Sequence, residues 1–350
     1  MRQLTQAWPR PGHPRPIVVI GAGAIVRTSH LPAYARVGLP VAGFYDIDAA
    51  QARATAAASP SSAVFASLEA AAAVPGAVFD VAVPGDQVVG ILERLPQGSA
   101  VLIQKPMGAD LAEADRILDR CRARRLVAAI NFQLRFAPAM LALHDLIAGG
   151  DLGQLVDVDV RVVIEQPWQN WTFMVGAPRV EILYHSIHYL DAIRWLAGEP
   201  RGVYCKAVGH PSTPQLSDTR STIVLDYGDT LRCSLVLNHT HKADQTHKAS
   251  EIIVEGTAGL ARVTWGVNLD YPSGPPDTMH VSTERRWQDV PLRGSWFTEA
   301  FEGPMSNLQR FVTGEDRALL SPVEDAIRTM AVVEACYESS ARGATPIPRR

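Results

Sequence analysis

An apolar run that ends in two glycines near the N terminus constrains the fold of this chain more than any other feature. Residues 17–20 are all β-branched, and the sequence continues through Gly21-Ala-Gly23 into a segment of helical character. The chain must turn from strand to helix tightly enough for the first helical amides to approach a pyrophosphate, and a side chain at either glycine would obstruct that approach. The pattern predicts a dinucleotide-binding turn. Its predicted contacts to the cofactor are Gly21, Gly23, Ala24 and Ile25.

A carboxylate after the second apolar run indicates which dinucleotide is bound. The run VAGFYD closes on Asp46, roughly 25 residues after the first glycine, close to the spacing of a ribose-binding carboxylate. Asp46 can accept hydrogen bonds from both ribose hydroxyls and would repel a 2′-phosphate, and only Arg53 lies near in sequence as a cation. We therefore predict NAD, with NADP less favoured. Val26 occupies the third small position of the fingerprint, and we expect it to loosen or displace the first helix.

Composition favours a cytoplasmic enzyme and argues against several other classes. The 350 residues, 47% of them hydrophobic, can form two cores, and a formal charge of −3 gives no sign of nucleic-acid binding. The four cysteines lack CxxC spacing, which argues against a zinc knuckle or a disulfide framework. Residues 1–14 are Pro-rich and are predicted to form a flexible tail without a signal peptide's apolar core. No apolar run is long enough to span a bilayer, so we expect no membrane partner.

The order of apolar and helical segments changes once along the chain. Up to residue 133, apolar strands alternate with Ala-rich helical stretches, which is the rhythm of a doubly wound parallel sheet. From residue 153 onward, long strands of alternating polarity are separated by turn signals, which is typical of antiparallel sheet. The predicted fold class is α/β. A Rossmann domain is expected over residues 15–133, and an α+β domain with a large, mainly antiparallel sheet over residues 134–345.

Several segments occur in an order that resembles a known family of oxidoreductases. They are GAGAIVRTSHLPAY, FYDID, DVAVPGDQ, IQKPMGADLAEA, NFQLRFAP and SIHYLDAIRWLAGEP. Over nearly its whole length the chain resembles the glucose-fructose oxidoreductase, inositol dehydrogenase and rhizopine-catabolism (Gfo/Idh/MocA) family. The resemblance implies a Rossmann domain, a carbohydrate substrate and no metal. It also implies a homodimer or homotetramer formed through the open sheet face of the C-terminal domain.

The triplet Gln104-Lys105-Pro106 matches the family's Glu-Lys-Pro after the fifth apolar strand. The resemblance implies that Lys105 is catalytic and contacts both substrate and cofactor. Its ammonium would stabilise the alkoxide that develops as hydride leaves a carbinol. Gln104 replaces the usual glutamate and is predicted to contact the cofactor, and the family implies a cis bond before Pro106. The structural alternative is a surface lysine followed by a proline that starts a helix.

A polar stripe is predicted on a helix that begins near Glu181. At α-helical spacing, Glu181, Tyr184, His185 and His188 lie on one face. The family has Asp, then His four residues later, then Asp three residues after that. His188 and Asp191 match, whereas Tyr184 replaces the first Asp. His188 is the predicted proton acceptor, and Tyr184 or His185 could take the vacant catalytic and substrate-binding role. Each histidine could instead be a core residue, and Asp191 is expected to have a structural role.

Histidines in the second half of the chain are also possible ligands of a metal or a substrate. Glu181, His185 and His188 could hold a metal, but the family needs none and no metal is predicted. His239 and His241 share a strand face and could line a substrate cleft, although a solvated loop is the default interpretation.

Five further residues complete the predicted site. Pro84 follows the third main strand at its carboxyl end, where cofactors dock in such folds. Asn131 and Gln133 follow the last Rossmann strand, and the resemblance suggests contacts to the cofactor and the substrate respectively. Trp168 and Trp171 offer flat faces that can pack against the C–H face of a sugar ring, with hydrophobic packing as the alternative.

Together these features predict an NAD-dependent dehydrogenase or reductase acting on a secondary hydroxyl or carbonyl of a sugar, cyclitol or sugar derivative. Two alternatives stay open. One is a redox-neutral epimerisation or elimination in which bound NAD is oxidised or reduced only transiently. The other is a regulator that senses NAD and a sugar without turnover, an idea motivated by the missing Asp at position 184.

Overall fold

The chain divides into two units at positions that differ from the predicted domain boundary. The computed structural model describes residues 3–59, 63–283 and 285–348. The first unit runs to residue 142 and also contains residues 293–330, whereas the second contains residues 143–292 and the chain from 331 onward. A late segment therefore returns to the N-terminal unit, which the sequence pattern did not indicate.

Six parallel strands form the sheet of the first unit. Their order is β3-β2-β1-β4-β5-β6, which is the doubly wound Rossmann order. The strands are β1 (Ile17–Ile20), β2 (Val41–Tyr45), β3 (Ala63–Val64), β4 (Val78–Val81), β5 (Ala100–Ile103) and β6 (Val127–Ile130). β1 and β4 are buried throughout because helices cover such a sheet on both faces. The order of strands reverses between β1 and β4, and the carboxyl ends there form the usual cofactor position.

Helices follow almost every strand of this sheet. They are α1 (Leu31–Val37), α2 (Ala49–Ala57), α3 (Leu68–Ala72), α4 (Gly85–Leu92), α5 (Leu111–Ala123), α6 (Pro138–Ala148) and, in the returning segment, α8 (Glu302–Val312). The last of these explains the longer first unit. Met305 and Leu308 on α8 are fully buried in the same core as Val78 and Leu102, so the returning helix completes this core.

The N-terminal segment is ordered against the first unit, which corrects the prediction of a flexible tail. Among its described residues, Leu4 is buried and the indole N–H of Trp8 donates to Asp316 at 2.8 Å. The amide of Gly12 donates to Glu315 at 3.0 Å. The Pro-rich N-terminal segment is therefore held in place by side chains of the returning segment, residues 293–330.

Eight strands form the sheet of the second unit, in the order β14-β13-β12-β11-β7-β10-β9-β8. They are β7 (Leu155–Val163), β8 (Gly202–Val208), β9 (Arg220–Asp226), β10 (Arg232–Asn238), β11 (Ala249–Gly256), β12 (Gly259–Thr264), β13 (Thr278–Thr283) and β14 (Arg286–Asp289). Only the β7–β10 pair is parallel among the described pairings. Burial alternates along β9 and β10, so one face of the sheet is covered and the other is open. The predicted two-domain α/β fold with a mainly antiparallel second sheet is confirmed.

Two long helices accompany this sheet. α7 (Ile187–Ala197) follows a π-helical turn, and α9 (Val323–Arg342) begins in the first unit and ends in the second. Ser339 on α9 accepts a hydrogen bond from the amide of Cys205 on β8 at 2.9 Å. Among the described residues, no helix is both long and apolar enough to cross a membrane.

Candidate active site

The glycine turn after β1 has the geometry that dinucleotide binding requires. Gly21 has a φ of +92°, and a Cβ there would lie only 2.3 Å from the carbonyl oxygen of Ala82. Glycine is therefore required for this approach of the turn to the end of β4. A Cβ at Gly23 would meet nothing within 4 Å, and Gly23, Ala24 and Ile25 all keep some exposure to solvent. The space above these residues can receive a pyrophosphate.

The helix after this turn begins irregularly. Residues 26–30 form a π-helical turn that continues into α1, and Val26 is fully buried in the core. This irregularity agrees with the displacement expected from a larger residue at the third fingerprint position. Arg27 in this turn donates to the carbonyl of Ala22 at 2.7 Å, which adds a cation beside the turn that sequence reasoning missed.

Asp46 directly follows β2, and backbone amides hold both of its carboxylate oxygens. Its Oδ2 accepts the amide of Ala22 at 2.7 Å, and its Oδ1 accepts the amide of Asp48 at 2.9 Å. Asp48 itself caps α2 by accepting from Ala50 and Gln51. The two neighbouring carboxylates therefore differ in role: one lies against the glycine turn, and the other stabilises a helix.

Lys105 lies directly after β5 and is connected to a buried polar network. The Lys105 amide donates to Oε1 of Gln104 at 2.7 Å, and the Lys105–Pro106 bond is cis. Burial lowers the pKa of the Lys105 ammonium to about 8. Pro84, also a predicted cofactor contact, occupies the N-cap position of α4 after β4 and makes no capping hydrogen bond from its side chain.

His30 connects Gln104 to the interior of the first unit. Its Nδ1 lies 2.8 Å from Oδ2 of Asp80, which also accepts from the hydroxyl of Tyr34 at 2.8 Å. Its Nε2 lies 3.0 Å from the side-chain nitrogen Nε2 of Gln104 and 3.2 Å from the side-chain nitrogen Nδ2 of Asn131. His30, Asp80 and Tyr34 are each at most 1% exposed.

The geometry of this network fixes the protons on His30. Because Oε1 of Gln104 accepts from the Lys105 amide, the other end of the side chain is the NH₂ group, which donates to Nε2 of His30. Nε2 is therefore unprotonated, and Nδ1–H donates to Asp80. A glutamate at position 104 would place an acceptor where His30 needs a donor, which explains why glutamine fits here.

The residues after β6 divide between the candidate site and the interior. Asn131 and Gln133 are each 2% exposed. Their side-chain oxygens, Oδ1 of Asn131 and Oε1 of Gln133, have no hydrogen-bond partner among the described residues. Arg135 instead has a structural role within the unit. It donates to the carbonyl of Leu320 at 2.7 Å and to Asp325 at 2.6 Å.

In the second unit, the predicted polar stripe is altered by the start of the helix. Residues 182–186 form a π-helical turn, so the α-helical spacing assumed from the sequence does not hold there. Asp218 caps this start by accepting the amides of Val180 at 2.9 Å and Glu181 at 3.1 Å. The hydroxyl of Ser186, five residues after Glu181, donates to its carboxyl group. Glu181 is fully buried, whereas Tyr184 and His185 are half-buried.

Glu181 belongs to a buried cluster that sequence reasoning did not assemble. Its Oε2 accepts from the hydroxyl of Ser221 on β9 at 2.6 Å, and its Oε1 lies 3.3 Å from Nδ1 of His239. Burial raises the pKa of Glu181 to about 7, and the same cause lowers the pKa of His239 to about 3. His239 is 1% exposed, so the default interpretation of a solvated loop is wrong for this residue.

His185 lies in an aromatic cluster beside a cleft. Its ring centroid is 5.1 Å from that of Trp168, 6.0 Å from that of Trp171 and 4.9 Å from that of His239. Trp168 and Tyr271 line a cleft of about 470 Å³, which is within the usual range for small-molecule sites. Trp168 is mostly buried and donates from Nε1 to the carbonyl of His239 at 3.1 Å. The structure therefore places both predicted tryptophans against His185, with Trp168 also facing the cleft.

The other predicted residues of this helix have different surroundings. Tyr184 meets Phe173 edge to face at 5.5 Å between ring centroids. His188 is 6% exposed, and Asp191 lies 4.0 Å from Arg194 inside the second unit, as its expected structural role requires. His241 is half-buried and does not line the cleft. Among the described residues, no group of three or more His, Cys, Asp or Glu side chains is arranged to hold a metal ion.

Weak signals for the missed residues were present in the sequence. Asp80 interrupts an otherwise apolar strand, and His30 and Tyr34 stand four residues apart on one helix. A charged residue in a buried strand requires polar partners, and this helix is the nearest source of them. The contact of Glu181 with Ser221 and His239 had no comparable signal because it depends on sheet register and on the π-helical turn.

Comparison with curated proteins gives relatives named as dehydrogenases. The chain is 32% identical over 189 residues to inositol 2-dehydrogenase from Leifsonia xyli, with 52% of this chain and 54% of the relative covered. It is 29% identical over 206 residues to trans-1,2-dihydrobenzene-1,2-diol dehydrogenase from Bos taurus, with 57% and 56% covered. The chain thus spans about half the length of these curated relatives.

Solved structures show the same fold over nearly the whole chain. An oxidoreductase from Agrobacterium radiobacter in complex with NAD⁺, L-tartaric acid and magnesium superposes with a TM-score of 0.79 at 18% identity, covering 95% of this chain and 98% of that one. The WlbA dehydrogenase from Bordetella pertussis, in complex with NADH and UDP-GlcNAcA, gives a TM-score of 0.75 at 18% identity, covering 97% and 100%.

The family comparison covers most of the chain. Residues 15–132 match the NAD-binding Rossmann fold of the oxidoreductase family, and residues 144–348 match the C-terminal alpha/beta domain of that family. The first unit therefore contains the NAD-binding domain that the glycine turn and Asp46 predict. With both domains matched in order, the chain belongs to the Gfo/Idh/MocA family of oxidoreductases.

Proposed function

We propose that this protein is an NAD-dependent oxidoreductase that acts on a secondary hydroxyl or carbonyl of a sugar, cyclitol or related derivative. The observation that carries the proposal is the place of Lys105, which lies just after β5 of the NAD-binding domain with its backbone amide bonded to Gln104. Burial there lowers the pKa of its ammonium to about 8. A cation that titrates near neutral pH can both stabilise negative charge on a substrate oxygen and exchange a proton with it.

The residues of the first unit hold the cofactor. Gly21, Gly23, Ala24 and Ile25 form the pyrophosphate turn, Asp46 accepts from the adenosine ribose, and Pro84, Gln104 and Asn131 border the nicotinamide end. The space over the turn and the orientation of Asp46 support this assignment. When bound, NAD accepts or supplies the hydride.

The roles in acid–base chemistry are divided between Lys105 and His188. During oxidation of a carbinol, Lys105 stabilises the negative charge that develops on the oxygen, and His188 takes the hydroxyl proton and returns it in the reverse direction. Gln133 contributes to substrate binding. Tyr184 and His185 contact the substrate where the family has its Asp, and Trp168 and Trp171 provide apolar faces for its ring.

The curated relatives support a ring-bearing substrate. Their names specify inositol and a dihydrobenzenediol, in which adjacent hydroxyl groups are carried by a six-membered ring. The aromatic side chains around the cleft suit the C–H face of such a ring. We further propose a cytoplasmic homodimer or homotetramer formed through the open sheet face, where Tyr204, Val224 and Trp287 are exposed.

The test is nicotinamide absorbance with NAD, then NADP, against aldoses, inositols, sugar acids and cyclic diols. Accumulation of NADH with one class, abolished by Lys105→Met and retained by Lys206→Met on β8, would establish the activity. If absorbance stays constant, mass spectrometry of the same mixtures separates the alternatives. Altered sugars would favour redox-neutral chemistry, whereas tight NAD binding with unaltered sugars would favour a sensor and refute the proposal for these substrates.

A further inference from the structure

A fully buried carboxyl group lies beside the aromatic cluster, and the proposed function does not use it. Glu181 is 0% exposed and accepts hydrogen bonds from Ser186 and from Ser221. Among the described residues, no lysine or arginine forms an ion pair with this carboxyl group. The nitrogen beside it is Nδ1 of His239, at 3.3 Å, and this buried nitrogen makes no hydrogen bond among the described residues.

The charge of this group has to be balanced locally. An ionised carboxylate in a buried site is unfavourable without a cation, and two hydroxyl donors compensate only in part. A single proton held between Glu181 and His239 removes the net charge whichever residue carries it. Burial raises the pKa of the carboxyl group to about 7 and lowers that of the imidazole to about 3, so Glu181 carries the proton at slightly acidic pH.

We propose that Glu181 and His239 form a buried acid–base pair that holds one exchangeable proton and acts through the neighbouring imidazole of His185. The pair would thus take the place of the carboxylate that the family has at position 184. The inference rests on the proposed function, because a change at His185 affects catalysis only if the adjoining cleft binds substrate. Glu181, His239 and His185 do not line the cleft themselves, whereas Trp168, which contacts both imidazoles, does. Glu181 and His239 are therefore positioning residues.

Contacts connect the pair to the cleft. The His185 and His239 ring centroids are 4.9 Å apart, and Trp168 lies 5.1 Å from the first ring and 6.3 Å from the second. When the pair loses its proton, a negative charge appears on Glu181, beside the His239 ring whose centroid lies 4.9 Å from that of His185. Charges at such a distance interact appreciably in a partly desolvated site. The net charge of the pair is therefore transmitted to His185.

Other titratable groups around the carboxyl group act in a known direction. Repulsion from Asp218 raises the pKa of Glu181 further, whereas the hydrogen bonds from the two serines lower it. The negative charge of Glu181 raises the pKa values of Tyr189 on α7 and of Tyr337 and Cys336 on α9. These three groups stay neutral near pH 7 and therefore add no charge beside Glu181 there.

The pair can be tested without any substrate. Infrared difference spectra recorded on either side of about pH 7 should show the carbonyl band of a protonated carboxyl group, and Glu181→Gln should abolish it. Glu255→Gln, at an exposed position of β11, is the matched control and should retain the band. Ser221→Ala removes a donor to the carboxylate and should move the midpoint of the band to higher pH.

A second readout tests the connection to His185. In ¹⁵N spectra of the histidine side chains, assigned with His185→Gln, the His185 ring nitrogens should shift at the midpoint of the infrared band. This step should vanish in Glu181→Gln and move with Ser221→Ala. A missing band, a band retained by Glu181→Gln or a His185 signal without the step would overturn the inference. None of these results would refute the proposed oxidoreductase activity. Conversely, failure of the turnover assay would not refute proton sharing between Glu181 and His239.

Discussion

Lys105 should lose its proton near pH 8, whereas an ordinary lysine does so near 10.5. The cause is burial of the ammonium group beside the end of β5, which disfavours its charged form. At pH 7 the protonated form still outnumbers the neutral one by roughly tenfold. Lys105 is therefore cationic at neutral pH and loses its charge within the range in which dehydrogenases are commonly assayed.

The small number of lysines makes this measurement direct. The sequence contains four, Lys105, Lys206, Lys242 and Lys248. Reductive methylation with ¹³C-formaldehyde gives one dimethylamine signal for each, plus one for the N terminus. We expect the signal that disappears in Lys105→Met to titrate with a midpoint near 8. Lys206→Met is the control and should leave that signal in place.

The same shift predicts how stability depends on pH. Between about pH 8 and 10.5 the unfolded chain keeps the Lys105 proton and the folded chain has released it, so the free energy of unfolding rises with pH in this window. The rise is about 3 kcal/mol as an upper limit, because part of the side chain remains in contact with solvent. The Lys105→Met variant has no ammonium to bury, so its free energy of unfolding should exceed that of the natural protein below about pH 8. This difference should shrink as the pH rises to about 10.5.

Two results would refute this reasoning. A Lys105 signal that titrates at the ordinary lysine value would show that burial does not disfavour the ammonium. Denaturation curves of Lys105→Met and the natural protein that stay parallel from about pH 8 to 10.5 would show that the group has the same pKa in both states.

Four further changes test the rest of the site. Asp46→Ala should weaken NAD binding by about tenfold or more and shift preference toward NADP, measured by titration of both cofactors. Gln104→Glu should place a proton on Nε2 of His30, seen in ¹⁵N spectra, and should raise the pKa of Lys105 above about 8 because it adds a nearby negative charge. His188→Gln should lower kcat by about a hundredfold or more in any substrate that the protein turns over. Arg135→Met should lower the free energy of unfolding by about 2–4 kcal/mol because it removes the hydrogen bonds that the buried guanidinium donates to Leu320 and Asp325.

Matched variants separate these effects from general damage. Asp48→Ser keeps the cap of α2 and should leave cofactor preference unchanged. His247→Gln alters an exposed histidine and should leave kcat unchanged. Arg122 pairs with Glu324 at 4.0 Å on the surface, so Arg122→Met should change stability by less than about 1 kcal/mol. Equal losses in a variant and its control would contradict the assigned role.

Local patterns were sufficient to predict the fold and the NAD-binding domain. The glycine turn and Asp46 carry short-range requirements of backbone approach and charge that one sequence displays directly. The contacts of Glu181 could not be predicted, because one additional residue in the helical turn changes which side chains share a face. The burial of His239 was equally hidden, since it depends on Trp168, 71 positions away in sequence.

The discontinuity of the first unit determines when this protein can fold during its synthesis. Met305 and Leu308 complete the core around β4 and β5, so a nascent chain that has released only the Rossmann strands from the ribosome still exposes apolar surface. The intervening sheet must be translated before α8 emerges to cover it. An expression fragment cut after residue 133 would remain in that uncovered state and depend on chaperones or aggregate.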